Sequence, residues 1–147
     1  MTVMEMLEKN TEIILRDALE GLMRSHLEHY EKAGSSLVEE RLRNLFHLTV
    51  LSMKNRRLSY INEYTENLAS ERFSSGYDLR EIQIAINTLE EAIWKAIVKE
   101  LKPAELAEAL GLASTVLGSA KDTLAQTYVS LASKTKVSSL DLKKLIS

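Results

Sequence analysis

The chain has 147 residues, one proline, five glycines, no cysteine, and a formal net charge of −2 from 19 basic and 21 acidic side chains. The missing cysteines exclude disulfides, thiolate metal sites and cysteine nucleophiles, and the even charge balance argues against a general nucleic-acid binder. Hydrophobic residues make up 45% and aromatics 5%, a mix that suits one soluble helical domain better than an all-β or disordered chain.

Helical periodicity dominates from the start. Apolar residues at Met4, Leu7, Ile14, Leu15, Ala18, Leu19, Leu22, Met23, Leu27 and Tyr30 predict one amphipathic helix from Met4 to Tyr30. Glu12–Arg16 and Glu20–Arg24 have the spacing of supporting ion pairs on that helix. Gly34 is expected to stop it, and Ser36-x-x-Glu39 reads as a capping box for the next. The second helix carries Leu37, Leu42, Leu45, Phe46, Thr49, Val50 and Met53, and should end near Lys54-Asn55-Arg56-Arg57, where cations favour a C-terminus. A third, capped by Ser59 and closed by Gly76, places Ile61, Tyr64, Leu68, Arg72 and Phe73 along one side.

Asp78-x-x-Glu81 marks the next N-terminus. In the fourth helix Leu79, Ile82, Ile86, Leu89, Ile93, Ile97 and Leu101 recur at steps of three and four, flanked by Ile84, Ala85, Ala92, Trp94 and Val98. Such a broad apolar surface predicts a central helix covered on several sides. Pro103 suits the first turn of a fifth helix, with Leu106, Leu110, Ala113, Leu117, Ala120, Leu124, Tyr128 and Leu131 on its stripe. A second file, Ala107, Gly111, Ser114 and Gly118, runs beside that stripe. Glycine inside a helix costs roughly 1 kcal/mol relative to alanine, so the file predicts close approach by another backbone, within the chain or as a dimer seam. A polar break near Ser133–Ser139 separates a short last helix with Leu140, Leu142, Leu145 and Ile146. The expected fold is therefore all-α: an antiparallel bundle of five long helices plus a short C-terminal one. A globin-like crossing of helices is the competing arrangement. The domain spans 1–132, with 133–147 as tail or linker helix.

The chemistry-bearing residues are few. His26 and His29 are spaced to reach one ion, but two ligands do not make a metal site, and no metal is expected. Haem would need an axial ligand past the middle of the chain, and no histidine follows His47, so no cofactor is expected. There is no nucleophile elbow and no phosphate-cradling glycine loop. The doublets Glu39/Glu40 and Glu90/Glu91 point different ways on a helix. Lys54, Arg56 and Arg57 are too few for a nucleic-acid stripe. The chain is expected not to be an enzyme. If it holds a small molecule, His47, Tyr64, Asn87 and Trp94 are the candidate pocket. The N-terminus has no basic region leading into an apolar stretch, and no apolar run approaches about 18 residues. A cytoplasmic chain, binding neither membrane nor nucleic acid, is the expectation.

Three segments carry a resemblance. Glu71-Arg72-Phe73-Ser74-Ser75-Gly76-Tyr77-Asp78-Leu79-Arg80-Glu81-Ile82-Gln83, Leu89-Glu90-Glu91-Ala92-Ile93-Trp94 and Ala109-Leu110-Gly111-Leu112-Ala113-Ser114-Thr115-Val116-Leu117-Gly118 resemble the N-terminal sensory domain of RsbRD-type proteins, co-antagonists of the RsbT kinase in bacterial stress signalling. The resemblance spans most of residues 10–132, and none of its motifs is a chemical signature. It implies a helical, non-haem, sometimes globin-like stressosome sensor domain. It also implies a homodimer that passes a signal through a C-terminal helix to a partner signalling protein, or to a fused STAS or kinase output domain. This sequence departs from that plan by ending at Ser147 without an output domain, which implies either an excised domain or a stand-alone relative.

Overall fold

The predicted helix from Met4 to Tyr30 is three helices. In the computed structural model, which describes the backbone of residues 1–146 and the side chains of 1–135, α1 (Val3–Lys9) starts on Thr2. The Thr2 hydroxyl accepts the Glu5 amide and the Glu5 carboxylate accepts the Thr2 amide, a reciprocal cap. At the other end buried Asn10 turns its side-chain amide back onto the Met6 carbonyl at 2.8 Å. Local bonds of this kind compete with helix continuation, and the axis changes there. α2 (Thr11–Arg24) ends before His26, which adopts a left-handed φ of +50°. α3 (Glu28–Ala33) follows. The apolar period survives both breaks because all three pieces face one core: Met6, Leu7, Ile14, Leu15, Ala18, Leu22, Leu27 and Tyr30 are buried. Periodicity reports which side faces inward, not whether the axis is continuous.

Gly34, at φ +87°, leads directly into α4 (Ser35–Asn55). The predicted Ser36–Glu39 cap does not form, and the Glu39 carboxylate accepts Arg43 Nε at 3.1 Å instead. The end of α4 falls within the predicted segment. Arg56 takes φ +50°, and the amides of Arg56 and Arg57 return to the Met53 and Ser52 carbonyls, which satisfies the last turn. Ser59 is the first helical residue of α5 (Ser59–Ser74) rather than its cap. Gly76, at φ +84°, closes that helix as expected.

α6 (Leu79–Glu100) begins at Asp78, whose amide donates to the Glu81 carboxylate at 3.1 Å. α7 (Pro103–Ile146) is a single helix of 44 residues, about 66 Å long at 1.5 Å per residue. It passes the expected boundary at 132/133 and the polar stretch at 133–139 without a break. The predicted separate last helix is therefore the end of α7. How Leu140, Leu142, Leu145 and Ile146 dock lies outside the described side chains.

Every element among the described residues is an α-helix, so the all-α class holds. α7 packs against α5, α6 and α4; α6 packs against α2, α7, α1 and α4; α2 and α4 lie together, with α3 on α4. Ile82, Ile86, Leu89, Ile93 and Ile97 of α6 are fully buried, with Phe46, Ile61, Leu117 and Leu124 from the surrounding helices. As expected, α6 is covered on several sides, and one side stays open, where Trp94 is 42% and Val98 57% exposed. Within the chain no backbone approaches Gly111 or Gly118. A Cβ on either glycine would meet nothing within 4 Å, whereas one on Gly21 would stand 2.9 Å from Thr88 Cγ2. The tight α2–α6 contact is therefore at Gly21.

Candidate functional site

Tyr77, in the turn between α5 and α6, is the meeting point of four helices. Arg41 of α4 donates to its hydroxyl at 2.9 Å, and its guanidinium lies 5.8 Å from the ring centroid. The Arg72 guanidinium of α5 lies 5.5 Å from the same ring, within cation–π range. His29 of α3 stacks on it at 4.5 Å, and Tyr30 meets it edge-on at 5.6 Å. From α7, the Tyr128 hydroxyl donates to the Tyr77 carbonyl at 2.9 Å, while Phe73 packs edge-on against the Tyr128 ring. The turn is rigid because Gly76 supplies its left-handed residue and the Tyr77 amide closes back on the Arg72 carbonyl at 3.0 Å.

Glu81 anchors this cluster to α6. It is buried, yet its carboxylate accepts His29 Nδ1 at 2.7 Å, the His29 amide at 3.2 Å and the Asp78 amide at 3.1 Å. Burial of a carboxylate is tolerated when its oxygens are satisfied in this way. Burial also pushes the phenol of Tyr30 far above its ordinary range, and raises those of Tyr64 and Tyr128, the last to about 12. Desolvation of the phenolate is the leading cause in each, partly offset by the nearby Arg72 charge.

Arg72 is 4% exposed. Its side chain bonds the Glu71 carboxylate at 2.6 Å, and that partner is 68% exposed. Arg41, Tyr64, Leu68 and Arg72 also line a narrow internal cavity of about 30 Å³, whose other walls include Leu22, Val38, Leu42, Leu45, Ile82 and Ile86. No histidine or methionine lines it.

The four residues of the predicted pocket do not converge. Asn87 and Trp94 share one exposed concave face of α6 with Glu90, Glu91, Lys95, Val98 and Lys99. Tyr64 lines the internal cavity. His47 is exposed on α4, close enough to Glu12 to help hold that carboxyl below its usual range, after the larger effect of Arg43. His26 and His29 separate as well. The helix breaks between them, so His26 bonds Glu31 at 2.8 Å while His29 bonds Glu81. Among the described residues, no three His, Asp or Glu side chains are grouped to hold a metal.

The charged groups singled out in the sequence find separate partners. Glu39 pairs with Arg43, Glu90 with Lys121 and Glu91 with Lys95. Arg56 pairs with Glu108, and Arg57 lies over Tyr60. Neither Glu12–Arg16 nor Glu20–Arg24 forms. Glu12 instead takes both Arg43 guanidinium nitrogens, at 2.8 and 3.0 Å, tying α2 to α4.

The small-residue file faces outward: Ala107 and Gly111 are exposed, Ser114 and Gly118 half-buried. Lys121, next on that stripe by helical spacing, reaches Glu90 at 2.7 Å and Asn87 at 3.1 Å on α6. Lys121 thus ties that side of α7 to Asn87 and Glu90 of α6.

Sequence reasoning missed the Tyr77 cluster because its members come from five separate segments. One signal was present: Arg72 falls on the apolar stripe of its helix, where a cation requires a reason. Comparison of the chain with family models, with curated proteins and with solved structures finds no match.

Proposed function

We propose that this chain is a non-catalytic signal-input domain of a bacterial stress-response regulator, of the RsbRD-like kind, acting as a homodimer by repacking of helices. The observation that carries the reading is the double role of α7. One stripe of that helix receives the Tyr77 cluster through Tyr128, and a neighbouring stripe carries the Gly111–Gly118 file, open to an incoming surface. A change at the turn thus reaches the same helix that offers a surface to a second copy, and a shift of a few kcal/mol suffices for such a switch. Small residues on α7 would admit the partner's backbone, and Trp94 and Val98 would supply apolar area. The output is a partner signalling protein or a STAS or kinase module, reached through α7.

The test is sedimentation across a wide concentration range, read together with Trp94 emission, since this is the chain's single tryptophan. A reversible dimer whose emission shifts to the blue as it forms, and which Gly118→Leu abolishes, is expected. A strict monomer at millimolar concentration would sink the reading.

The alternative reading, a small-molecule or haem-binding module, is favoured by the cavity between α4, α5 and α6 only in its small-molecule form. A space of about 30 Å³ is far below the roughly 300 Å³ of an ordinary ligand pocket, and haem is larger still.

A further inference from the structure

The internal cavity has an outer counterpart. A groove of about 320 Å³ runs over α4 and α5, and it shares Arg41, Tyr64, Leu68 and Arg72 with the cavity behind it. Those four side chains form the partition between the two spaces. The partition is cationic and incompletely paired. Arg72, nine-tenths buried, has the mostly exposed Glu71 as its carboxylate, and Arg41 donates to the neutral Tyr77 hydroxyl. A guanidinium offers five N–H donors in a planar fork suited to a carboxylate. A buried cation with so little compensation gains from an added anion. Behind the guanidiniums the walls are apolar: Leu22, Val38, Leu42, Leu45, Ile82 and Ile86.

We propose that this partition binds a small organic monocarboxylate. Arg41 and Arg72 hold the carboxylate with the Tyr64 hydroxyl beside them, and a short alkyl group enters the cavity as Leu68 gives way. The cavity, about 30 Å³, has room for one or two water-sized groups, so with the carboxyl carbon outside it the ligand has about two or three carbons. Glu40 and Glu71 also line the groove, and their charge disfavours a dianion such as phosphate. Both guanidiniums abut Tyr77, so the anion would act on the residue that holds Tyr128 of α7. The proposal deepens the sensory reading by naming its ligand. Binding is measured apart from oligomeric state, so either idea can fail alone.

The experiment is a titration of the intact chain with acetate, propionate and butyrate at constant ionic strength, followed by amide NMR shifts and calorimetry. Butanol and inorganic phosphate are the controls. Saturable binding is expected, tightening from acetate to propionate with no further gain at butyrate, with shifts centred on residues 41, 64, 68, 72 and 77. Arg41→Gln, at a half-buried position, should weaken butyrate by about tenfold or more, and Arg72→Lys should weaken it while keeping the charge. Butanol binding as well as butyrate, phosphate binding more tightly, or an Arg41→Gln chain that binds butyrate unchanged would each overturn the proposal, as would the absence of saturation.

Discussion

Gly21 of α2 and Thr88 of α6 stand so close that a methyl group on Gly21 would come within 2.9 Å of the Thr88 Cγ2. The threonine cannot easily yield, because its hydroxyl is fixed on the Ile84 carbonyl at 2.7 Å. Overpacking of this kind costs about 1–3 kcal/mol, against roughly 1 kcal/mol gained in helix propensity. Gly21→Ala is therefore expected to lower the denaturant midpoint. Gly111→Ala, with open space around its Cβ, should stabilise the monomer by up to about 1 kcal/mol and raise the midpoint. The same outcome at both positions would refute the placement of the close contact.

Glu81 accepts three hydrogen bonds that join α3, the α5–α6 turn and α6. Glu81→Ala leaves the His29 and Asp78 amides and the His29 ring without that acceptor. A loss of about 1.5–3 kcal/mol is expected, since charged acceptors contribute more than neutral ones. Hydrogen exchange should quicken first in residues 28–33. A uniform rise across the chain would mean that α3 is not held through this contact.

Tyr128 supplies two linked expectations. Tyr128→Phe keeps the edge-on contact with Phe73 but deletes the hydroxyl on the Tyr77 carbonyl, at a cost of about 0.5–1.5 kcal/mol. In the wild-type chain the Tyr128 phenol titrates near 12, above the unfolded value of about 10. Between those pH values the unfolded state has lost the proton and the folded state has kept it. Stability should then be constant below about pH 10 and fall as pH rises toward 12. Denaturant melts across this range measure the slope, and Tyr128→Phe should reduce it, leaving the part that the raised phenols of Tyr30 and Tyr64 supply. An unchanged slope in the variant would mean that Tyr128 does not contribute.

At the acid end, the Arg43 guanidinium holds the Glu12 carboxyl below its ordinary value, chiefly by hydrogen bonding. The contribution is present above the unfolded carboxyl pKa and fades as pH falls through the lower folded value. Because the pair is exposed, salt should screen it. Glu12→Gln is expected to have a small effect at neutral pH that shrinks further in high salt. An effect insensitive to salt would point to packing instead.

Much of the fold was legible in the residues. The apolar stripes of α4, α5 and α6 could be read because burial on one side of a helix leaves a period near 3.6. Gly76 and Asp78 could be read because helix ends need residues that tolerate left-handed backbone or that cap amides, and the end at Arg56 because cations gather at a helix C-terminus. Other local patterns misled. Ser36 and Ser59 had cap chemistry, yet the helices start beside them. Asn10 and His26 broke a helix whose apolar period runs on. The four pocket candidates, His47, Tyr64, Asn87 and Trp94, were chosen by residue type, and type carries no information about which faces meet.

By itself, the sequence determined that this chain would be built of helices, where most of them end, and which side of each turns inward. Hydrophobic spacing and capping act over a few residues, so they can be read locally. Only the tertiary structure decided that Gly21 rather than Gly111 or Gly118 receives a close neighbour, that Glu12 crosses to Arg43, and that Tyr77 gathers two arginines, a histidine and two tyrosines. Those outcomes depend on crossing angles and on contacts between residues far apart in the chain, such as Glu12 with Arg43 and Tyr77 with Tyr128. Such contacts are fixed by packing of whole helix surfaces, a property that no single stretch of the chain contains.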